Sequence, residues 1–212
     1  MTVNKQTDGN RLTRLGTKYG GNRVDLDLIP EGSTVISAGV GEDISFDLEL
    51  IRLKECRIIG IDPTEKSKRY IERHQPDNFI FINKALVSND RAGQKLKMYV
   101  NKNPKHVSDS EVSSHRAASN KFYMAETITL NELFSKYENI SLIKLDIEGS
   151  EYKMVDDVIA SNVQQMSIEF HDFCSGYSSG DTEAAAKSIM SSGYYRFGNT
   201  FIRRGNAENN PS

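Results

Sequence analysis

The sequence predicts an α/β fold: a mostly parallel sheet with helices on both faces, closed at its C-terminal end by an antiparallel hairpin. Three observations lead there. Short β-branched runs alternate with stretches of helical period, the pattern of a parallel sheet with crossover helices. Capping residues stand in front of several of those helical stretches. Near the C-terminus, Tyr194-Tyr195-Arg196-Phe197 and Thr200-Phe201-Ile202-Arg203 flank Gly198-Asn199, the form of a two-residue hairpin.

Taken in order, residues 1–30 are polar, contain Gly20-Gly21, and are expected to form a leader packing loosely on the core. Thr34 to Ala38 is a buried strand ending in glycines. Ile44, Leu48 and Ile51, joined by Phe46, Leu50 and Leu53, predict a helix. Arg57 to Ile61 is a second strand, closed by Asp62-Pro63; Thr64 caps a helix to about His74. Phe79 to Ile82 is a third strand, and Lys95 to Val100 an extra one. Thr129-Leu130-Asn131-Glu132 has capping-box form. Ile140 to Leu145 is a strand ending at Asp146, and Ser150 caps a helix to about Ala160. Met166 to Phe170 is a fifth parallel strand, and Asp181 caps a helix that Gly193 ends. The layout is one domain over residues 31–205 with a basic insert at about 95–126, and a disordered tail at 206–212.

Composition narrows the function classes. A chain of 212 residues that is 37% hydrophobic can bury a core. No apolar run reaches the roughly 20 residues of a membrane helix, and Met1 to Asn10 lacks the apolar region of a secretory signal. A net charge of -2 argues against a nucleic-acid binder. Cys56 and Cys174 form no disulfide framework or zinc spacing, so a cytoplasmic location is expected. The charge is unevenly spread: Lys84 to Lys121 carries eight Lys/Arg against three Asp/Glu. Within it, His106 to Ser119 is Ser-rich and without period, a long loop of the kind that is functional or disordered.

Three motifs carry chemistry. Ser37-Ala38-Gly39-Val40-Gly41-Glu42-Asp43 ends the first strand, where glycines let a ligand approach the backbone. A pyrophosphate site wants a third glycine, but Ile44 stands there, and Glu42 and Asp43 repel phosphate. A cationic ligand such as S-adenosylmethionine suits them better. Asp62, ending the second strand, can accept both hydroxyls of a ribose. The run Lys144-Leu145-Asp146-Ile147-Glu148-Gly149-Ser150-Glu151 places Asp146 and Glu148 at the C-terminal end of a central strand, where open sheets bind ligands. Glu151 reads as an acid favoured by the helix dipole. Glu169-Phe170-His171-Asp172 ends the fifth strand on the same edge.

Val35 to Phe46, Ile61-Asp62-Pro63, Ala85 to Ser88, Ile128-Thr129-Leu130, Lys144 to Glu151 and Glu169-Phe170-His171 resemble the successive motifs of FkbM-type methyltransferases. The resemblance covers about residues 34–173. It implies a class I, Rossmann-like three-layer sandwich with a seven-stranded sheet, S-adenosyl-L-methionine as cofactor, and O-methylation of a hydroxyl on a small molecule or sugar. Gly39, Val40, Gly41, Glu42, Asp43, Asp62, Pro63, Ala85 and Asp146 would then hold the donor. The first strand of the family usually ends in Asp where this chain has Ser37.

Under this reading, His171, Asp146 and Glu148 are the candidate catalytic residues, with Glu169 behind them. A divalent metal on Asp146 and Glu169, with Glu148 and Asp172, is the competing arrangement. Lys102, Lys105, His106, His115 and Arg116 of the insert would bind an acidic or phosphorylated acceptor. A nicotinamide-dependent oxidoreductase and a catalytically silent binding module are the alternatives.

Overall fold

The computed structural model describes residues 11–74, 76–103, 106–173 and 176–204. Lys105, Cys174, residues 1–10 and the tail 206–212 lie outside the described residues. The chain begins with a small hairpin, β1 (Thr13–Leu15) and β2 (Asn22–Val24). It continues through β3 (Thr34–Ala38), α1 (Ser45–Lys54), β4 (Arg57–Ile61), α2 (Glu65–His74) and β5 (Phe79–Ile82). Next come β6 (Ala85–Val87), β7 (Leu96–Asn101), β8 (Ala118–Ala125), β9 (Thr127–Thr129) and α3 (Leu130–Lys136). The last third holds β10 (Ile140–Leu145), α4 (Val155–Ser161), β11 (Gln165–Ile168), α5 (Ser179–Ser191), β12 (Tyr194–Phe197) and β13 (Thr200–Arg203).

Seven strands form the main sheet in the order β12-β13-β11-β10-β3-β4-β5. The sheet is mixed, with its antiparallel part in the C-terminal hairpin expected from sequence. β11-β10, β10-β3, β3-β4 and β4-β5 pair parallel, whereas β11-β13 and β12-β13 pair antiparallel. The tight Gly198-Asn199 turn makes β12 and β13 antiparallel, because a two-residue connection can only join antiparallel strands, and β13 then lies between β12 and β11. The chain leaves β3 toward β4 and β5, and later returns to lay β10 on the other side of β3. That reversal opens a crevice beyond the C-terminal ends of β3 and β10.

Strand alternation divides the core between the two faces. Ile36, Ile59, Ile143 and Met166 pack with Leu133 of α3, Val158 of α4 and Ile189 of α5. Val35, Ile58 and Leu142 point the other way, onto Phe46 and Leu50 of α1. Each such fully buried aliphatic side chain contributes about 1.5–3 kcal/mol.

The N-terminal segment is more deeply built in than expected. Leu15, Val24 and Ile29 are buried in the α1-side core. Gln165 locks the segment down: its Oε1 accepts Asp25 N–H at 2.7 Å and its Nε2 donates to Asp25 O at 3.3 Å. Two helix starts also differ from expectation. Ser178, not Asp181, caps α5, with Asp181 as the reciprocal member of the capping box. Ser150 precedes a 3-10 turn over Glu151–Met154 and makes no cap bond, because its hydroxyl is used elsewhere.

β7 and β8 form an antiparallel ribbon, register Leu96↔Ala125, that packs Leu96, Met98 and Ala125 on Ala85 and Val87. β6 and β9 pair parallel beneath it. Among the described residues, no helix is long and apolar enough to cross a membrane.

Replacing Gln165 with Ala strands the buried N–H of Asp25 and removes one of the two donors to its carbonyl. We expect a loss of about 1–3 kcal/mol in urea unfolding, with faster proteolysis in residues 11–30.

Candidate active site

A cavity of about 420 Å³ opens at the C-terminal edge of β3, β4, β10 and β11, a size suited to a small-molecule ligand. Gly39, Val40 and Gly41 form one wall. Gly39 has φ 84°, and a Cβ there would overlap Asp146 O, so only glycine lets β3 and β10 close together at this point. Lys144, buried beneath, donates to Gly39 O at 3.1 Å and lies 3.7 Å from Asp146 Oδ2. It therefore ties the two strand ends across the crevice.

Asp62 lies at the end of β4, almost fully buried. Its Oδ2 accepts Gly41 N–H at 3.0 Å, and its Oδ1 accepts the N–H and hydroxyl of Thr64 at 2.8 and 2.6 Å. Burial raises its carboxyl above the usual range, against the pull of these donors. The same bonds pin the aspartate, and Thr64 Oγ1 in turn accepts Ser67 N–H at the start of α2. Pro63, Ala85, Leu86, Leu96 and Met98 add an apolar side to this half of the cavity.

Asp43 also reaches the cavity, but its carboxylate is occupied: Oδ1 accepts Ser45 N–H at 3.0 Å, and Oδ2 accepts the Thr17 hydroxyl at 2.5 Å. Burial would raise it, yet these bonds hold it below the ordinary value. Glu42 is exposed at the mouth, beside Tyr19.

At the opposite end stand Asp146, Glu148, Glu169 and His171. The side chain that organises them is Glu151. Its Oε1 accepts Ile147 N–H at 2.7 Å and the His171 Nδ1 proton at 2.9 Å, and its Oε2 accepts Gly149 N–H at 2.9 Å. These bonds hold a turn in which Glu148 has φ 53° and Gly149 φ 99°. A left-handed glutamate is uncommon, and the backbone bonds to Glu151 on either side hold it there. His171 Nε2 consequently faces Asp146 Oδ1 at 3.6 Å and Glu148 Oε2 at 3.8 Å. Burial lowers the imidazole's affinity for a proton, but the bond to Glu151 and the charges of Glu151, Glu148 and Asp146 outweigh it and push the pKa up to about 9. Glu169 is raised by burial and by the charge of Asp146.

The insert roofs this end. Ser110 Oγ donates to Glu148 O at 2.6 Å, and His115 Nε2 lies 3.3 Å from Glu148 Oε2. Glu111 anchors the roof: it accepts Arg91 Nη1 at 2.7 Å, Lys153 Nζ at 2.9 Å and Ser150 Oγ at 2.7 Å. Against burial, these three partners hold its carboxyl below the ordinary value.

Gly39, Val40, Gly41, Glu42, Asp43, Asp62, Pro63, Ala85, Asp146, Glu148, His171, His106 and His115 thus all line one cavity. Arg116 does not. It is exposed and outside the cavity, and Lys102 donates to its carbonyl. Asp172 is also elsewhere, accepting from Thr182. Among the described residues, seven carboxylates and a single lysine line the cavity. Of the insert, His106, His115 and Asp109 line the cavity, whereas the described cations Lys95, Lys97, Lys102, Arg116 and Lys121 are exposed and outside it. Sequence reading missed Glu151, Lys144 and Tyr19. Lys144 at least had a signal, as a cation near the C-terminal end of an otherwise apolar buried strand.

Replacing Glu111 with Gln is expected to lower stability at neutral pH by about 1–3 kcal/mol and to speed hydrogen exchange in residues 106–117. A depressed carboxyl stabilises above the ordinary carboxylate range, so the gap to wild type closes as pH falls through the folded value. Urea unfolding at neutral and acidic pH measures it.

A comparison with curated proteins finds no match. Among solved structures, a methyltransferase from Pyrococcus furiosus aligns with TM-score 0.39 and 9% identity, over 84% of this chain and 78% of that one. M. jannaschii TYW2, in complex with AdoMet, aligns with TM-score 0.36 and 12% identity, over 91% and 87%. The family model for the methyltransferase FkbM domain matches residues 35–192, a span that runs from β3 through α5 and includes every strand end around the cavity. The chain belongs to the methyltransferase FkbM domain family.

Proposed function

We propose that the protein transfers a methyl group from S-adenosyl-L-methionine to a hydroxyl of a small molecule or sugar. The observation that carries this reading is the acid-lined cavity at the sheet's switch point, set on a chain of a methyltransferase family. A ligand with a sulfonium and an ammonium is attracted by seven carboxylates; a dinucleotide's pyrophosphate is repelled, which disfavours a nicotinamide enzyme. The strand order, with helices on both faces, supports a class I, Rossmann-like three-layer arrangement.

In this reading Asp62 receives the ribose hydroxyls, and Gly39 to Gly41 pass the donor's backbone-facing side. Pro63, Leu86, Leu96 and Met98 take the adenine ring. The methyl carbon then points toward Asp146, Glu148 and His171. The acceptor oxygen attacks that carbon in line, the carbon–sulfur bond breaks to leave the neutral thioether, and the hydroxyl proton passes to this polar cluster. Alignment alone can account for about 7–11 kcal/mol of the barrier. The acidic lining favours a neutral or cationic acceptor over a phosphorylated one. Exposed Tyr19 and Phe173 at the mouth offer flat faces for a sugar ring or an aromatic acceptor.

Calorimetry with S-adenosylhomocysteine and NAD tests the donor: homocysteine-side binding is expected, and binding of NAD alone would sink the reading. Replacing Asp62 with Asn should weaken S-adenosylhomocysteine at least tenfold, about 1.4 kcal/mol or more, while unfolding stays cooperative. Methyl transfer to a glycan or metabolite panel would separate an enzyme from a silent binding module.

A further inference from the structure

Three groups around the roofed end of the cavity have the composition of a cation site. Ligand atoms of Asp146, Glu148 and His171 all lie within 4.8 Å of one another. An ion at about 2.0–2.2 Å from each ligand wants neighbouring ligands about 3 Å apart and opposite ones about 4 Å apart. The present 3.6 and 3.8 Å separations from His171 Nε2 to the two carboxylates fall inside that span. No ligand atom has to cross the cavity to close on an ion.

Two further observations point the same way. The first is the outer partner of the histidine. Glu151, fully buried, holds His171 Nδ1, so the ring can only present Nε2 to the carboxylates. A carboxylate on the far nitrogen is the usual support of a metal-bound imidazole, fixing its tautomer and orientation. The second is His115. Its side chain is 3% exposed, and Nδ1 accepts Ala117 N–H at 3.1 Å, which leaves the proton on Nε2 in the neutral ring. That Nε2 is buried and makes no well-aligned hydrogen bond, although Glu148 Oε2 lies 3.3 Å away. A buried donor so placed is under-satisfied. An oxygen held on an ion at Glu148 would give it a second acceptor.

We propose that Asp146, Glu148 and His171 form a divalent-cation site, with Glu151 as the positioning residue behind His171 and His115 as a donor to the ion's exchangeable oxygen ligand. The mixed nitrogen and oxygen set suits Mn²⁺ or a similar transition ion better than Ca²⁺. The site differs from the Asp146 and Glu169 pair expected from sequence, because Glu148 and His171 close on Asp146. Its consequence for methyl transfer rests on the function proposed above: an acceptor hydroxyl on the ion would be acidified where the methyl arrives. Binding of the ion itself does not depend on that function.

The test is a Mn²⁺ titration of the metal-free chain, without any methyl donor, followed by electron paramagnetic resonance. One saturable site per chain is expected. Glu148→Gln and Glu151→Gln should each raise Kd by roughly 10- to 100-fold, whereas Glu31→Gln, exposed and outside the cavity, should leave it unchanged. In the unmodified chain, sub-stoichiometric Mn²⁺ should broaden the imidazole resonances of His171 and His115 before that of His74, which needs no variant to fold. Absence of saturable binding, a Kd indifferent to Glu148→Gln, or broadening of His74 first would overturn the site. A chain that binds Mn²⁺ but transfers no methyl group would leave the site standing and remove the proposed function instead.

Discussion

The cavity depends on one buried carboxylate. Glu151 is 1% exposed and gathers two backbone N–H groups and an imidazole proton. A buried charge is tolerated only when its lone pairs are satisfied, and here the satisfying donors come from two different strand ends. Ile147 and Gly149 follow β10; His171 follows β11. Satisfying Glu151 therefore fixes, in one step, the left-handed turn that aims Glu148 and the ring that faces Asp146. Lys144 does the complementary task on the other side of β10, tying Gly39 to Asp146. The polar edge of the sheet is thus held as one unit by an anion and a cation that both lie below it.

Much of the frame was legible because strands β3 and β4 are continuous apolar runs bounded by glycine or Asp-Pro. The N-terminal hairpin was not legible: its strands are three residues long, too short for a period, and its core residues Leu15, Val24 and Ile29 are spread among polar neighbours. The cap of α5 was misplaced by three residues because a capping box puts an acceptor at both ends, and Asp181 is as plausible a signal as Ser178.

The site was readable to a different depth. Asp62, Asp146 and the glycines follow from their place at strand ends. Glu151 did not, since an acid beginning a helix already has a sufficient reason to be there, and its three donors come from a turn that no periodicity reveals. The insert misled for another reason. Its composition is basic, but composition does not say which way a side chain points: Lys102 and Arg116 meet solvent, and Asp109 and Glu111 turn inward. Net charge along a segment and the potential inside a cavity it covers are separate quantities.

The conformation of Glu148 joins a strained backbone to a charge that the fold and the cavity both use. A glycine at φ 53° would relieve strain on the order of 1 kcal/mol, and the turn would keep its bonds to Glu151 because those come from backbone N–H groups on either side. The carboxylate, however, would vanish from the cavity. The fold would lose with it, because against burial His115 and His171 hold the Glu148 carboxyl below its ordinary value, and a carboxylate so held stabilises the folded chain at neutral pH. Glycine also adds freedom to the unfolded chain, about 0.5–1 kcal/mol. The backbone strain at residue 148 is thus offset by the side chain that causes it, and a chain sorted for thermal resistance has no simple route to discard the glutamate.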